Sequence, residues 1–235
     1  MKITIITDNY PLNPELKTEW GFSCLVDGFE KTILFDTGGD GAVLLNNIKS
    51  LGIDTGKIDT IFISHDHWDH TGGLESFLRE NTNVNVYILP SFSKILKNSI
   101  KEYGANIIEN QKPGKICTGI YTTGTLDTGI KEQSLVIETK KGLYIITGCA
   151  HPGIVHIIST TKENLNQTIY LVLGGFHLSG YSDSDLKEII KQFRKLGVEK
   201  AGPCHCSGER CRELFAEDYK ENFVNIGVGK VINIE

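Results

Sequence analysis

Three histidines and two aspartates fall within six consecutive positions of the run Ser64-His65-Asp66-His67-Trp68-Asp69-His70-Thr71-Gly72-Gly73. Imidazole nitrogen and carboxylate oxygen are the donors that zinc and its divalent neighbours take up. The spacing H-x-H-x-D-H supplies two pairs of donors, enough to begin two adjacent metal sites. A loop that is merely solvated gives no reason for this donor set.

These side chains need a rigid support, and the residues around them predict one. Thr60 to Ser64 is a continuous apolar strand of the kind buried on both faces. The donor run leaves its carboxyl end, where α/β proteins place their binding sites, and a helix follows from Gly73 to about Arg79. The same plan recurs three times. Leu143 to Thr147 leads into Gly148-Cys149-Ala150-His151-Pro152-Gly153. Thr168 to Leu173 leads into Gly174-Gly175-Phe176-His177, and Val198 to Gly202 into Pro203-Cys204-His205-Cys206-Ser207-Gly208. Four strands thus end in small-residue loops carrying histidine. Of the seven histidines only His156 stands apart, within a helical stretch starting near Ile154.

The remaining elements follow from periodicity and turn signals. Strands are predicted over Lys2 to Thr7, Gly21 to Val26, Thr32 to Phe35, Val84 to Leu89, Ser134 to Thr139 and Asn225 to Ile234. Helices are predicted over Ala42 to Leu51, Phe92 to Tyr103, Asp183 to Leu196 (capped by Ser182) and Glu209 to Tyr219. Gln111 to Gly129 is rich in Gly, Thr and Pro and reads as turns and short strands. No linker or fixed repeat interrupts the chain, so residues 1–235 are expected to form a single domain.

Composition narrows the function classes. Hydrophobic residues at 40% and charged residues at 23% suit a globular chain with a substantial core. A net charge of −5 offers no basic field, which disfavours nucleic acid as a partner. No stretch reaches the length of a membrane span, and the first apolar run is too short for a secretory signal. A cytoplasmic location is expected, with Cys24, Cys117 and Cys149 as buried free thiols. Cys204, Cys206 and Cys211 lack a convincing fourth cysteine for a separate cluster. Arg210 and Arg212 offer charge to an anionic substrate, although a solvated helix face suits them as well.

The run at 64–73, preceded by Leu34-Phe35-Asp36-Thr37-Gly38, closely resembles the metallo-β-lactamase superfamily. The resemblance covers nearly the whole chain. It implies an α/β (α+β) fold, the four-layer αββα sandwich, with metals at one edge between two sheets. Asp8-Asn9, Glu19-Trp20-Gly21-Phe22-Ser23 and the loops at 147–153, 174–178 and 203–208 look like one branch in particular. That branch is the dihydropterin ribofuranosylaminobenzene-phosphate synthases, linked to pterin cofactor biosynthesis.

The resemblance also implies a ligand set. His65 and His67, with His151, would hold the first metal; Asp69 and His70, with His205, would hold the second. Asp69 would in addition orient a bridging hydroxide. Many relatives carry a further histidine between these motifs, but none occurs here between His70 and His151. Cys149 falls where relatives often read an aspartate that bridges the metals. Either His151 replaces the missing imidazole, which is favoured, or Cys149 takes the bridging place. Asp36 is expected to orient a ligating imidazole. His177 stands as a metal neighbour, a general acid or a phosphate contact. The cofactors expected are two divalent ions, zinc before manganese or iron, because di-iron relatives place a glutamate where His67 stands. The leading expectation is a hydrolase of a small anionic phosphate or ester, using metal-activated water. A synthase-like transferase and a metal-binding redox or sensing protein are the alternatives.

Overall fold

The computed structural model describes residues 1–234. Two β-sheets lie face to face with helices on their outer surfaces. The first sheet has the order β13-β1-β2-β3-β4-β5-β6. Its strands are β1 (Lys2–Thr7), β2 (Ser23–Asp27), β3 (Ile33–Phe35), β4 (Thr60–Phe62), β5 (Asn85–Ile88), β6 (Asn106–Glu109) and β13 (Val231–Asn233). The second has the order β12-β11-β10-β9-β8-β7. It is built from β7 (Gly114–Cys117), β8 (Ile120–Thr122), β9 (Leu135–Thr139), β10 (Gly142–Thr147), β11 (Ile169–Gly175) and β12 (Lys200–Cys204).

Strand alternation explains the four layers. Side chains of successive strand residues point to opposite faces. In β10, Tyr144 and Ile146 enter the core between the sheets, whereas Leu143 and Ile145 face the outer helices. In β4, Phe62 points inward to stack on Phe35, and Ile61 points outward. The central core therefore draws Ile3, Ile5, Cys24 and Val26 from one sheet and Leu135, Ile137, Leu171 and Leu173 from the other. Outside the first sheet pack α1 (Gly41–Ser50), α3 (Leu74–Glu80) and α4 (Lys94–Glu102). Outside the second pack α5 (Ile154–Leu165), α6 (Asp183–Leu196) and α7 (Glu209–Tyr219). This is the αββα sandwich.

Most predicted elements are present, with three differences. β6 had no sequence signal because it is a half-exposed edge strand whose ends are polar. The terminal strand spans only Val231–Asn233. Its predicted first half still bonds to the opening of the chain, through Val228 N–H to Tyr10 O and Gly229 N–H to Ile5 O, both at 2.9 Å. The backbone bends there instead of pleating. A short helix, α2 (Trp68–Thr71), also forms inside the donor run. Among the described residues no helix is long and apolar enough to cross a membrane. All six cysteines are buried and free.

β3 to β6 run parallel, as do β10 to β12. Their carboxyl ends consequently deliver four histidine-bearing loops to one edge of the sandwich.

Candidate metal centre

Asp36 is the hub of the site. It follows β3, is fully buried, and accepts the Ser64 N–H and Ser64 hydroxyl, each at 2.7 Å. The same carboxylate takes a hydrogen bond from His70 Nδ1 at 2.7 Å. A carboxylate only accepts, so His70 carries a proton on Nδ1 and, in its neutral form, presents a bare Nε2. Ser64 spends its hydroxyl proton on Asp36, so His65 Nδ1, at 2.9 Å, must donate to the Ser64 oxygen. One buried aspartate thereby sets the tautomers of two histidines, and both bare Nε2 atoms face the cleft.

His205 is oriented in the same manner. Its Nδ1 donates to Asn9 Oδ1 at 3.1 Å, while Asn9 Nδ2 donates back to the His205 carbonyl at 2.9 Å. His205 Nε2 then points at Asp69, 3.4 Å away. The Nε2 atoms of His205 and His151 are both buried with no hydrogen-bond partner. A buried polar atom without a partner costs free energy, so such atoms call for a ligand.

The donors gather in three overlapping groups. Asp69, His70, Cys149 and His205 form one, and His65, Cys149 and His151 another, with donor atoms in each within 4.8 Å of one another. Cys149, His177 and Cys206 form the third. His67 joins through its Nδ1, 3.1 Å from His65 Nε2, and its ring lies 4.9 Å from that of His151. Cys149 is common to all three groups, and its sulfur is 3.2 Å from His70 Nε2. All the expected ligands, and both rivals for the variant position, converge on one cleft. The donor set is compatible with a dinuclear metal centre.

Burial and charge shape these groups. Burial would raise the Asp69 carboxyl, but the neighbouring His205 and His70 win and hold it down at about 2. Burial likewise opposes the charged form of His70, yet Asp36 and Asp69 lift it to about 8. Burial first, then the neighbouring His177 and His67, pushes His151 down to about 4. His151 is thus a neutral imidazole at physiological pH. His177 is exposed, with its ring 4.4 Å from that of His151.

Backbone conformation marks the same place. Asp36, Ala150, His177 and His205 all have left-handed φ, between 47° and 59°. The two other described non-glycine residues with positive φ, Asn166 and Lys220, only close helices. Such strain costs on the order of 1–3 kcal/mol per residue and clusters where function over-determines the backbone. Gly175 shows the tightness: a Cβ there would lie 2.2 Å from the Gly148 carbonyl and 2.8 Å from Cys206 Sγ.

Asp66, Arg210 and Arg212 fall outside the cleft. Asp66 is exposed and accepts the Ser93 N–H at 2.7 Å. Arg210 pairs with Asp183 and Glu213. Arg212 binds the Pro203 and Ile226 carbonyls and lies over Tyr10. Both arginines are occupied structurally, so neither is a free anion site.

Two supporting roles escaped the sequence analysis, although Asn9 stands in the Asp8-Asn9 motif. Glu132 is fully buried, and its Oε1 accepts the N–H groups of Gly148, Cys149 and Ala150 at 2.9–3.1 Å. Its Oε2 accepts that of His151 at 2.9 Å. Burial pushes this carboxyl up to about 7, with the Ala150 and His151 donors pulling the other way. Asn9 is the second, 196 residues from the histidine it orients. Nothing in local spacing marks either role, because both residues act on backbone or ring atoms distant in the chain.

A family model of the metallo-beta-lactamase superfamily matches residues 21–165. The chain belongs to that superfamily. Among curated relatives of this superfamily chain, the 7,8-dihydropterin-6-methyl-4-(beta-D-ribofuranosyl)-aminobenzene-5'-phosphate synthase of Methanocaldococcus jannaschii is 31% identical, over 99% of this chain and 96% of the relative. The crystal structure of Tm1679, a metal-dependent hydrolase of the beta-lactamase superfamily, aligns with a TM-score of 0.83 and 30% identity. That alignment covers 100% of this chain and 99% of Tm1679. A diphosphatase of the PhnP family aligns with a TM-score of 0.66 at 13% identity, over 100% of this chain and 98% of that one, a likeness of fold alone.

Beside this metallo-beta-lactamase cleft, Glu19 packs against Gly38, and burial pushes its carboxyl up to about 7. The folded state then binds more protons than the unfolded one between the ordinary value of 4.5 and about 7. Its contribution to stability is complete below pH 4.5 and is lost as the pH rises through about 7. Glu19→Gln is expected to flatten the pH dependence of stability across that window. Urea unfolding of the metal-loaded protein between pH 5 and about 8 checks this; an unchanged slope contradicts it.

Proposed function

We propose that this protein is a dinuclear metal-dependent hydrolase acting on a small anionic phosphate- or ester-containing molecule. One observation carries the reading. The Nε2 atoms of His151 and His205 lie buried without hydrogen-bond partners among His65, His67, Asp69, His70 and Cys149. The likeness to Tm1679 over the whole chain supports it.

His65, His67 and His151 would hold one ion, and Asp69, His70 and His205 the other, with Cys149 between them. Zinc suits this nitrogen, oxygen and sulfur set best, and manganese or iron are the alternatives. Bound there, two divalent ions would supply a nucleophile from water near neutral pH and polarise the scissile bond. Asp36 and Asn9 hold the imidazoles in the ligating tautomer. Asp69, kept ionised by its two histidine neighbours, would accept a hydrogen bond from the attacking group and orient it. His177, on the open side beside His151, would give a proton to the leaving group.

The experiment is metal analysis joined to turnover. The purified protein is expected to hold close to two redox-inactive ions per chain. Chelation is expected to abolish nitrophenyl phosphoester hydrolysis, and added zinc or manganese to restore it. Mostly iron together with oxygen reduction would reject the hydrolase. A second reading rests on the 31% identity with the pterin-pathway synthase. It would be a transferase joining a pterin precursor to a phosphoribosylated aminobenzene; no product above a metal-free control removes it.

A further inference from the structure

The chain has two tryptophans, and both are exposed beside the metal cleft: Trp20 by 53% and Trp68 by 64%. Tryptophan is a highly buried residue on average, and an indole left in water forfeits a large hydrophobic gain. Trp20 has its ring 5.4 Å from that of His205, tilted by 54°. Trp68 stands between the ligands His67 and Asp69.

Neither indole hangs from a loose loop. Gly21 N–H donates to Asn9 Oδ1, and Phe22 N–H donates to the Asp69 carbonyl at 3.2 Å. A Cβ on Gly21 would lie 2.6 Å from Gly39 N and 2.8 Å from the Asp69 carbonyl. A Cβ on Gly39 would lie 2.6 Å from Trp68 Cζ3 and 2.8 Å from the Trp20 carbonyl. Segments 20–21, 38–39 and Asp69 therefore meet backbone to backbone, with the Trp68 ring packed on Gly39, a junction that only residues without side chains permit. Two rigidly mounted aromatic surfaces emerge from it next to the ligands.

We infer that Trp20 and Trp68 form a recognition platform for a planar aromatic ring on the substrate, adjacent to the anionic group at the metals. The inference rests on reading the histidine cleft as a catalytic metal centre, and it names the substrate class. Arg210 and Arg212 are committed to structural contacts, so neither competes with the cleft for the anionic end of the substrate. Aromatic stacking has a geometry that an alkyl chain cannot reproduce.

The test uses the metal-loaded protein and matched probes: naphthylmethylphosphonate against butylphosphonate for binding, and naphthyl against butyl phosphate for turnover. The aryl phosphonate is expected to quench tryptophan fluorescence and to bind about tenfold more tightly than the alkyl one. In Trp20→Leu and Trp68→Leu the aryl-to-alkyl ratio of kcat/KM is expected to fall by about fivefold to tenfold. Trp20→Phe and Trp68→Phe are expected to retain most of that ratio, and two metals per chain in each variant verify the cleft. Equal affinity for the two phosphonates, or binding of neither, overturns the platform. So does an aryl-to-alkyl ratio that the leucine variants leave intact. Aryl binding that depends on the tryptophans without any phosphoester turnover sinks the hydrolase and leaves the platform standing.

Discussion

His70→Ala is expected to lose one of two metal equivalents and at least about a thousandfold in turnover, since loss of an orienting partner alone costs about 10–100-fold. His70 is fully buried and has only one ring atom to offer, because Nδ1 is spent on Asp36. Its Nε2 faces Cys149 at 3.2 Å and Asp69 Oδ2 at 3.8 Å, so alanine leaves that ligand position empty. Asp36→Asn is the informative companion. The ring stays in place and the Ser64 contacts survive in part, so a drop of about 10–100-fold is expected. Metal stoichiometry by mass spectrometry, read beside kcat, separates the two variants. Full metal content in His70→Ala would remove His70 from the ligand set.

Glu132→Ala is expected to destabilise the protein by about 4 kcal/mol, since each buried donor left unpaired costs about 1–3 kcal/mol and water relieves some of them. The four donors are the consecutive N–H groups of residues 148–151, the loop that carries Cys149 and His151. Their collective anchor is one side chain, so its loss also frees the loop bearing Cys149 and His151. Glu132→Gln is a milder change. Its oxygen can keep the three bonds made by Oε1, but its amino group then meets the His151 N–H. A loss of about 2 kcal/mol is expected from that one mismatch. Chemical denaturation with and without metal checks both values. A wild-type midpoint for Glu132→Ala would show that the loop needs no such anchor.

The histidine-bearing strand ends were legible because their causes are local. Thr60 to Ile63 is apolar, and the donors at 65, 67, 69 and 70 follow within one turn of chain. The loops at 148, 174 and 203 repeat that pattern of apolar strand and small residues. β6 and the shortened β13 were illegible because pairing with a neighbour, not composition, makes an edge strand. For Arg210 and Arg212 the residue type suggested an anion site, and contacts with residues elsewhere in the chain removed it.

The order and type of the candidate metal donors were set by the sequence alone, since ligand chemistry resides in side-chain identity and short spacing. Which donors meet was decided only by the tertiary structure. Cys149 comes within reach of both His65 and His205 because parallel strands from two sheets end at one edge. Asn9 reaches His205, Glu132 reaches residues 148–151, and Trp20 meets Trp68 at Gly39 by the same convergence. Hydrogen bonds and backbone contacts between segments far apart in sequence have no local signature, and the packing of the two sheets creates them.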